Sequence, residues 1–547
     1  MPDAAASDVV VSFDALATTD LRARDAQLSD ALISWEQRSA AHLRVSRLVA
    51  RLREDDALAA VGVDGLRLVS FVEYRARAEF AHVLRGFDVG RAVPGCRAVV
   101  ADPSTPDAVV VGARAGLGLD VGGEAYAPDA PAVPDPLRRL GAGVIMRALA
   151  ATTSSRGVRV AAVLNAKVAP AVAALSRAQL QAAGIAAMPF PGLDYGNSAR
   201  LAARLRIPLL ATLDPLVSRR RPLAMARQDP DLGEGDADLA AALAHVTRGL
   251  VRSSWPSFVA AARALRPLDR IGGLRALLLP TTAVGPSRIL MDWAHRRGLA
   301  VAAVQHGVYG FKEHDGGDSR ADVLFAWSER VREQARAWPE PRPRVVAVGV
   351  PGMAQAAPTA RRDGRPRRLL VATTGRSLET VLAPTSFHEQ FVAVIAPGLR
   401  MLIGAGVGVE LRLHPIEDPQ VYRRILEDAD LALPFAPSMP FPEAARHADL
   451  LVSAPSSVAF EAGALGVPVL LWNGGMPSAL RDAHLVAPLS LDLPGTFGDA
   501  RQFGALAAAV LENGAPAPGA QLAAELASYA RPFDPAAFAQ ALLELAA

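Results

Sequence analysis

The stretch HADLLVSAPSSVAFEAGALGVPVLL, His447 to Leu471, decides the fold. DLLVS is a short apolar run that stops at Pro455-Ser456-Ser457, SVAFEAGALG has helical spacing, and VPVLL is a second apolar run. Short continuous apolar strands joined by helices belong to a parallel sheet covered on both faces. Ligands of such sheets sit at the carboxyl ends of the strands. Ser453, Ser456 and Ser457 fall at that end, and a helix that starts on serines offers hydroxyls and N–H groups to an anion. Glu461 lies four residues beyond Ser457, on the same helix face and too far along for a capping box. A carboxylate there suits neutral hydroxyls, such as those of a ribose. The plainer alternative is that Ser456 only caps the helix and Glu461 faces solvent.

Upstream, RLHP (412–415) ends another strand, VGVELRLHP. Arg412 and His414 alternate with Leu411 and Leu413, so both face one side, and a guanidinium with an imidazole suits a phosphate. TTGRS (373–377) closes the strand RRLLVATTG, adding Thr374, Gly375 and Arg376 as candidates beside the reading of a simple turn. GAGVGVE (404–410) precedes its strand instead of following one, so it reads as a helix end and not a phosphate loop. AAPTARRDGRPRR (356–368) is rich in Pro, Gly and Arg without an apolar period, as an interdomain linker is.

The same alternation precedes the linker. GVRVAAVLNA, IAAMPF, LRALLLP, LAVAAVQHG, ADVLFAW and RVVAVGVPG read as strands, with KVAPAVAALSRAQLQAAG and SRILMDWAHRRG as helices between them. AVQHGVYGFKEHDGGD (303–318) therefore leaves a strand's carboxyl end. His306 suits a general base or a histidine that orients the loop by hydrogen bonding, and Lys312 or the helix start at 456–457 suits a cation or dipole on a leaving phosphate. His314, Asp315 and Asp318 match no metal-ligand spacing, so no metal site is expected. Asp322 is a second carboxylate candidate or simply the start of its strand.

Before about residue 100, LSDALISWEQRSAAHLRVSRLVARLRED and LRLVSFVEYRARAEFAHVLRGF have helical periodicity, whereas 102–136 reads as loops with a short strand at DAVVVGA. Fifty-eight basic against 55 acidic residues, net charge +3, give no bulk case for nucleic acid. Lysine occurs only at Lys167 and Lys312, and a single cysteine, Cys96, excludes an internal disulfide framework. The acidic start MPDAAASDVVVSFDAL lacks a signal-peptide pattern, and no apolar run reaches the roughly 18 residues of a membrane span. A cytoplasmic protein is expected, with a peripheral contact to the inner membrane face left open.

The R-x-HP strand end followed by the His447–Leu471 block resembles the donor domain of GT-B-type transferases. The closest likeness is to bacterial enzymes of surface and capsular glycans: polysialyltransferases, capsule Kdo transferases and CDP-glycerol glycerophosphotransferases. It spans 365–475, is looser over 270–355, and is absent over 1–130. In the glycerophosphotransferases His-Gly is followed by Thr-Pro-Leu-Lys, whereas here Val-Tyr-Gly-Phe separates His306-Gly307 from Lys312. The resemblance implies an α/β protein with two doubly wound Rossmann-like domains facing across a cleft. A helical extension and loops would take 1–130, the acceptor-side domain 131–355 and the nucleotide-donor domain 365–547. It implies a glycosyltransferase that needs no cofactor or metal, with a CMP-, UDP- or similar sugar as donor and a polysaccharide or glycolipid as acceptor. His414, helped by Arg412, would contact the nucleotide phosphate, Ser456 and Ser457 would hold phosphate, and Glu461 the ribose. A polyol-phosphate transferase and a nucleotide-sugar 2-epimerase share the fold, and a non-catalytic assembly module is the remaining alternative.

Overall fold

Ser34 starts the first long helix, α1 (Trp35–Glu54), through a capping box in which the Gln37 N–H donates to Ser34 Oγ at 3.3 Å and the Ser34 N–H to Gln37 Oε1 at 2.7 Å. Ala41, Val45, Leu48, Val49 and Leu52 make its buried stripe. That stripe packs on α2 (Leu68–Ala92), which also carries α3 (Asp107–Gly116), α4 (Ala237–Ala264) and α5 (Gly285–Arg296) and is buried on nearly every side. A computed structural model of the chain describes residues 11–12, 27–28, 33–93, 107–119, 121, 157–165, 167–190, 195–210, 232–308, 320–336, 338, 342–353, 368–374, 387–415, 417–513 and 517–547.

DAVVVGA, expected as a strand, makes up the first seven of the ten residues of α3. Its valines favour extended backbone in isolation, but tertiary packing prevails. Gly116 lies against Gly90 of α2, and Gly112 and Gly86 each face the other helix's backbone so closely that a Cβ on Gly112 would lie 2.1 Å from the Val83 carbonyl oxygen. Only glycine permits two helices to approach at that distance.

The first sheet is parallel, with strands β1 (Val160–Ala162), β2 (Ile185–Ala187), β3 (Ala276–Leu279), β4 (Ala300–Val304), β5 (Val323–Ala326) and β6 (Arg344–Ala347) in the order β6-β5-β4-β3-β1-β2. Its side chains alternate between two cores. Ala161, Leu277, Leu279 and Val301 join the helical layer, whereas Val160, Ala162, Leu278 and Ala302 face the other way. The helix expected over KVAPAVAALSRAQLQAAG is two helices, Val168–Ala173 and Arg177–Ala183, because Ser176 caps the second.

The second sheet, also parallel, has β7 (Arg368–Ala372), β8 (Gly408–Arg412), β9 (Leu450–Ser453), β10 (Val469–Trp472) and β11 (Thr496–Phe497) in the order β8-β7-β9-β10-β11. Around it lie α6 (Phe387–Gly404), α7 (Pro419–Asp428) and α8 (Ser457–Ala464). The chain then returns to the first sheet: α9 (Pro535–Ala546) sets Phe538 edge-on against Phe325, ring centroids 4.8 Å apart. In the opposite sense Trp327, just past β5, is buried in one apolar cluster with Leu370, Phe441, Ala459 and Phe460 of the second half. Two doubly wound α/β halves and a helical layer are thus the architecture. The strand order reverses between β1 and β3 in one sheet and between β7 and β9 in the other, which marks the crevice in each.

Candidate functional site

Both switch points carry polar residues from the sequence. In the second half, Thr373 and half-buried Thr374 follow β7, Arg412 ends β8 with His414 two residues on, and Ser453 ends β9. Ser453 is fully buried and donates its hydroxyl to the Ala454 carbonyl at 2.6 Å, so its proton stays with the main chain. Ser456 is the N-cap of α8 in extended backbone, and its side chain makes no cap bond; Ser457 is the first helical residue. The helix start is therefore not closed by the Ser456 side chain, unlike the plainer alternative of a simple cap.

Arg412 is held on one side: Nη2 donates to the Met439 carbonyl at 2.7 Å and the guanidinium lies 5.8 Å from the Phe441 ring centroid. Its charge still reaches Glu461, where burial pushes the carboxyl above the usual carboxylate range against the opposing pull of Lys167 and Arg412. Burial, reinforced by the Lys167 charge, pushes the His414 imidazole below its ordinary value. A carboxyl that resists ionisation suits neutral hydroxyl partners, and a neutral imidazole can donate one N–H to an anion.

Lys167 belongs to the first half, just past β1 at the other switch point, and its amine also lies 5.9 Å from the Trp327 ring centroid. Its charge reaches His414 and Glu461, so it is a cation that couples the two halves. Sequence reasoning missed this role, although a lysine in a chain with only one other was a signal. His306 is exposed at the carboxyl end of β4. The preceding Gln305, 2% exposed, orients that turn by donating from Nε2 to the Gly307 carbonyl at 2.9 Å and accepting from the Trp327 N–H at 2.7 Å. Lys312, Gly375 and Arg376, with His314, Asp315 and Asp318, lie outside the described residues.

Asp322 is at the amino end of β5, away from the crevice. Its Oδ2 accepts from the Val301 N–H at 2.7 Å and sits 3.1 Å from His295 Nε2, so it ties the sheet together. Among the described residues no group of three His, Cys, Asp or Glu is placed to hold a metal ion, and no helix is long and apolar enough to cross a membrane.

No family model matches the chain, and no curated protein matches it in sequence. Several solved structures align with it at low identity. MurG of Acinetobacter baumannii is 14% identical, covering 71% of this chain and 98% of its own, with a TM-score of 0.39. The UDP-GlcNAc 2-epimerase of Neisseria meningitidis, bound to UDP-GlcNAc, is 11% identical with the same 71% and 98% coverage and a TM-score of 0.39. The wall teichoic acid polymerase TagF is 11% identical over 75% of this chain and 95% of its own, TM-score 0.36. Likeness at this level identifies neither a family nor an activity, and the two-sheet architecture rests on the chain's own topology.

Proposed function

We propose that the protein is a GT-B-type glycosyltransferase that moves a sugar from a nucleotide-activated donor to a hydroxyl of a surface polysaccharide or glycolipid. The observation that carries this reading is that the Lys167 charge of the first crevice reaches His414 and Glu461 of the second, where the Arg412 charge also reaches Glu461, beside the uncapped start of α8. In this reading the donor's phosphates lie against the first turn of α8, His414 and Lys167, and Glu461 takes the ribose hydroxyls. The acceptor oxygen bonds to the anomeric carbon, its proton passes to His306, and the sugar–phosphate bond breaks with the electron pair leaving on phosphate. Lys167 and the helix start meet the charge that develops there, the work a metal ion does in other transferases.

The test is turnover with CMP-, UDP- and GDP-sugars and CDP-glycerol, each with and without a mixed glycan and glycolipid acceptor fraction. Release of nucleotide from a sugar donor only when acceptor is present supports the reading. Consumption of CDP-glycerol alone, donor isomerisation without acceptor, or no turnover of any donor contradicts it.

A further inference from the structure

Parallel-sheet crevices commonly hold phosphate with main-chain N–H groups at the strand ends. The loop after β8 has given that group away. The His414 N–H donates to Glu417 Oε2 at 2.7 Å and to Thr373 Oγ1 at 3.0 Å, both within the protein. Glu417 sits under the loop as the centre of a buried polar cluster. Its Oε2 also accepts the Thr373 hydroxyl, its Oε1 accepts the Tyr422 hydroxyl at 2.9 Å, and His388 Nδ1 lies 3.5 Å from Oε1. Tyr422 and His388 bond each other as well. Thr373, Tyr422 and His388 are each no more than 3% exposed.

The cluster draws one residue from each of four pieces of the second half. Thr373 follows β7, Glu417 lies in the loop after β8, His388 is in the first turn of α6, and Tyr422 is on α7. A buried carboxylate this close to an anion subsite would repel phosphate if it stood alone. Here its lone pairs are taken by one N–H and two hydroxyls, and the His388 ring stands beside it. Burial, with Glu417 beside it, pushes the Tyr422 phenol upward, which keeps that hydroxyl a donor across the working pH range.

We propose that Glu417, with Thr373, is the positioning pair of the candidate nucleotide site: it fixes the backbone at His414 so that the imidazole, and not the main chain, is this loop's contact to phosphate. This rests on the function proposed above for its ligand. The geometry itself does not need a ligand to be tested. With the N–H spent on Glu417, the His414 side chain is held half-buried over the crevice, and its depressed titration is the signature of that position. Released from the pair, the loop can swing the ring toward water, where a histidine titrates near 6.5.

The experiment uses full-length protein labelled with 13C-histidine, in wild type and in Thr373→Val, Thr373→Ser and Glu417→Gln. Two quantities are read: the NMR titration of His414, assigned by His414→Ala, and the affinity for CMP, CDP, UDP and GDP by calorimetry. Thr373→Val and Glu417→Gln are expected to move the His414 titration up toward 6.5 and to weaken nucleotide binding about tenfold or more, with Thr373→Ser restoring both. Thr373→Val keeps the shape of the side chain, so it decides the matter if Glu417→Gln does not fold. An unchanged His414 titration in a folded variant overturns the proposal. If wild type binds no nucleotide, the function above fails, while the titration still decides the positioning role.

Discussion

The two crevices are built differently. Beneath the loop after β8 four polar side chains hold one another: Thr373, Glu417, Tyr422 and His388 form one buried cluster under His414. At β4 and β5 Gln305 holds main chain instead, donating to the Gly307 carbonyl and accepting from the Trp327 N–H. A cluster of mutually satisfied groups answers to substitution as a unit, whereas a side chain that braces its own turn answers locally. The second half thus has a preformed pocket lip, and the first half presents His306 on a short braced turn. Trp327 is one place where the two meet, and the Lys167 charge reaches across from the first to the second.

The comparison can be broken most sharply at His306. His306→Ala is expected to lower turnover by about 100- to 10,000-fold while nucleotide affinity stays within about twofold, because the base acts only on the acceptor proton. Single-turnover kinetics with a calorimetric Kd checks it; a matching loss of affinity would place His306 in the donor site. Next comes the seam. Trp327→Ala removes a ring that is 1% exposed between the halves and should cost about 3–5 kcal/mol, read by denaturant unfolding. A single cooperative transition shifted to lower denaturant is expected, and an unshifted one would mean the seam contributes nothing.

Lys167→Met removes the charge that reaches both His414 and Glu461, and should weaken nucleotide binding about tenfold, with retention of the wild-type fold by circular dichroism. It should also raise the His414 titration, since Lys167 is one cause of its depression. The smallest effect is in pH. Free His414 titrates below the usual histidine value, so it is neutral above pH 7 and gains charge only as pH falls through that lowered value. A bound phosphate rewards the charged form, so nucleotide affinity should rise several-fold from pH 8 to pH 5. Protonation of Glu461 acts in the same direction, because its pKa is raised. The part due to His414 is what disappears in His414→Ala.

Much of the second half was legible because its signals are local. The run from Asp449 to Leu471 contains strand, serine turn, helix and strand in one unbroken piece, and RLHP marks a strand end within four residues. What escaped the sequence depends on distant neighbours. The valines of α3 read as a strand until Gly86 and Gly90 of α2 supply the partner face. The sequence leaves Asp322 either a crevice carboxylate or the start of its strand, and its bond to the Val301 N–H at the amino end of β5 decides for the second. Lys167 is 294 positions from Glu461, 461 less 167, and no local pattern joins them. Glu417 was three residues from His414 and still unread, because nothing in HPIE says that the carboxylate turns under its own loop.

The central claim is that the second crevice binds a nucleotide through His414. Isothermal titration of wild type and His414→Ala with CMP, CDP, UDP and GDP tests it directly. At least one nucleotide should bind wild type one to one, and His414→Ala should weaken it about tenfold or more. Binding of no nucleotide, or equal affinity in both proteins, would contradict the account.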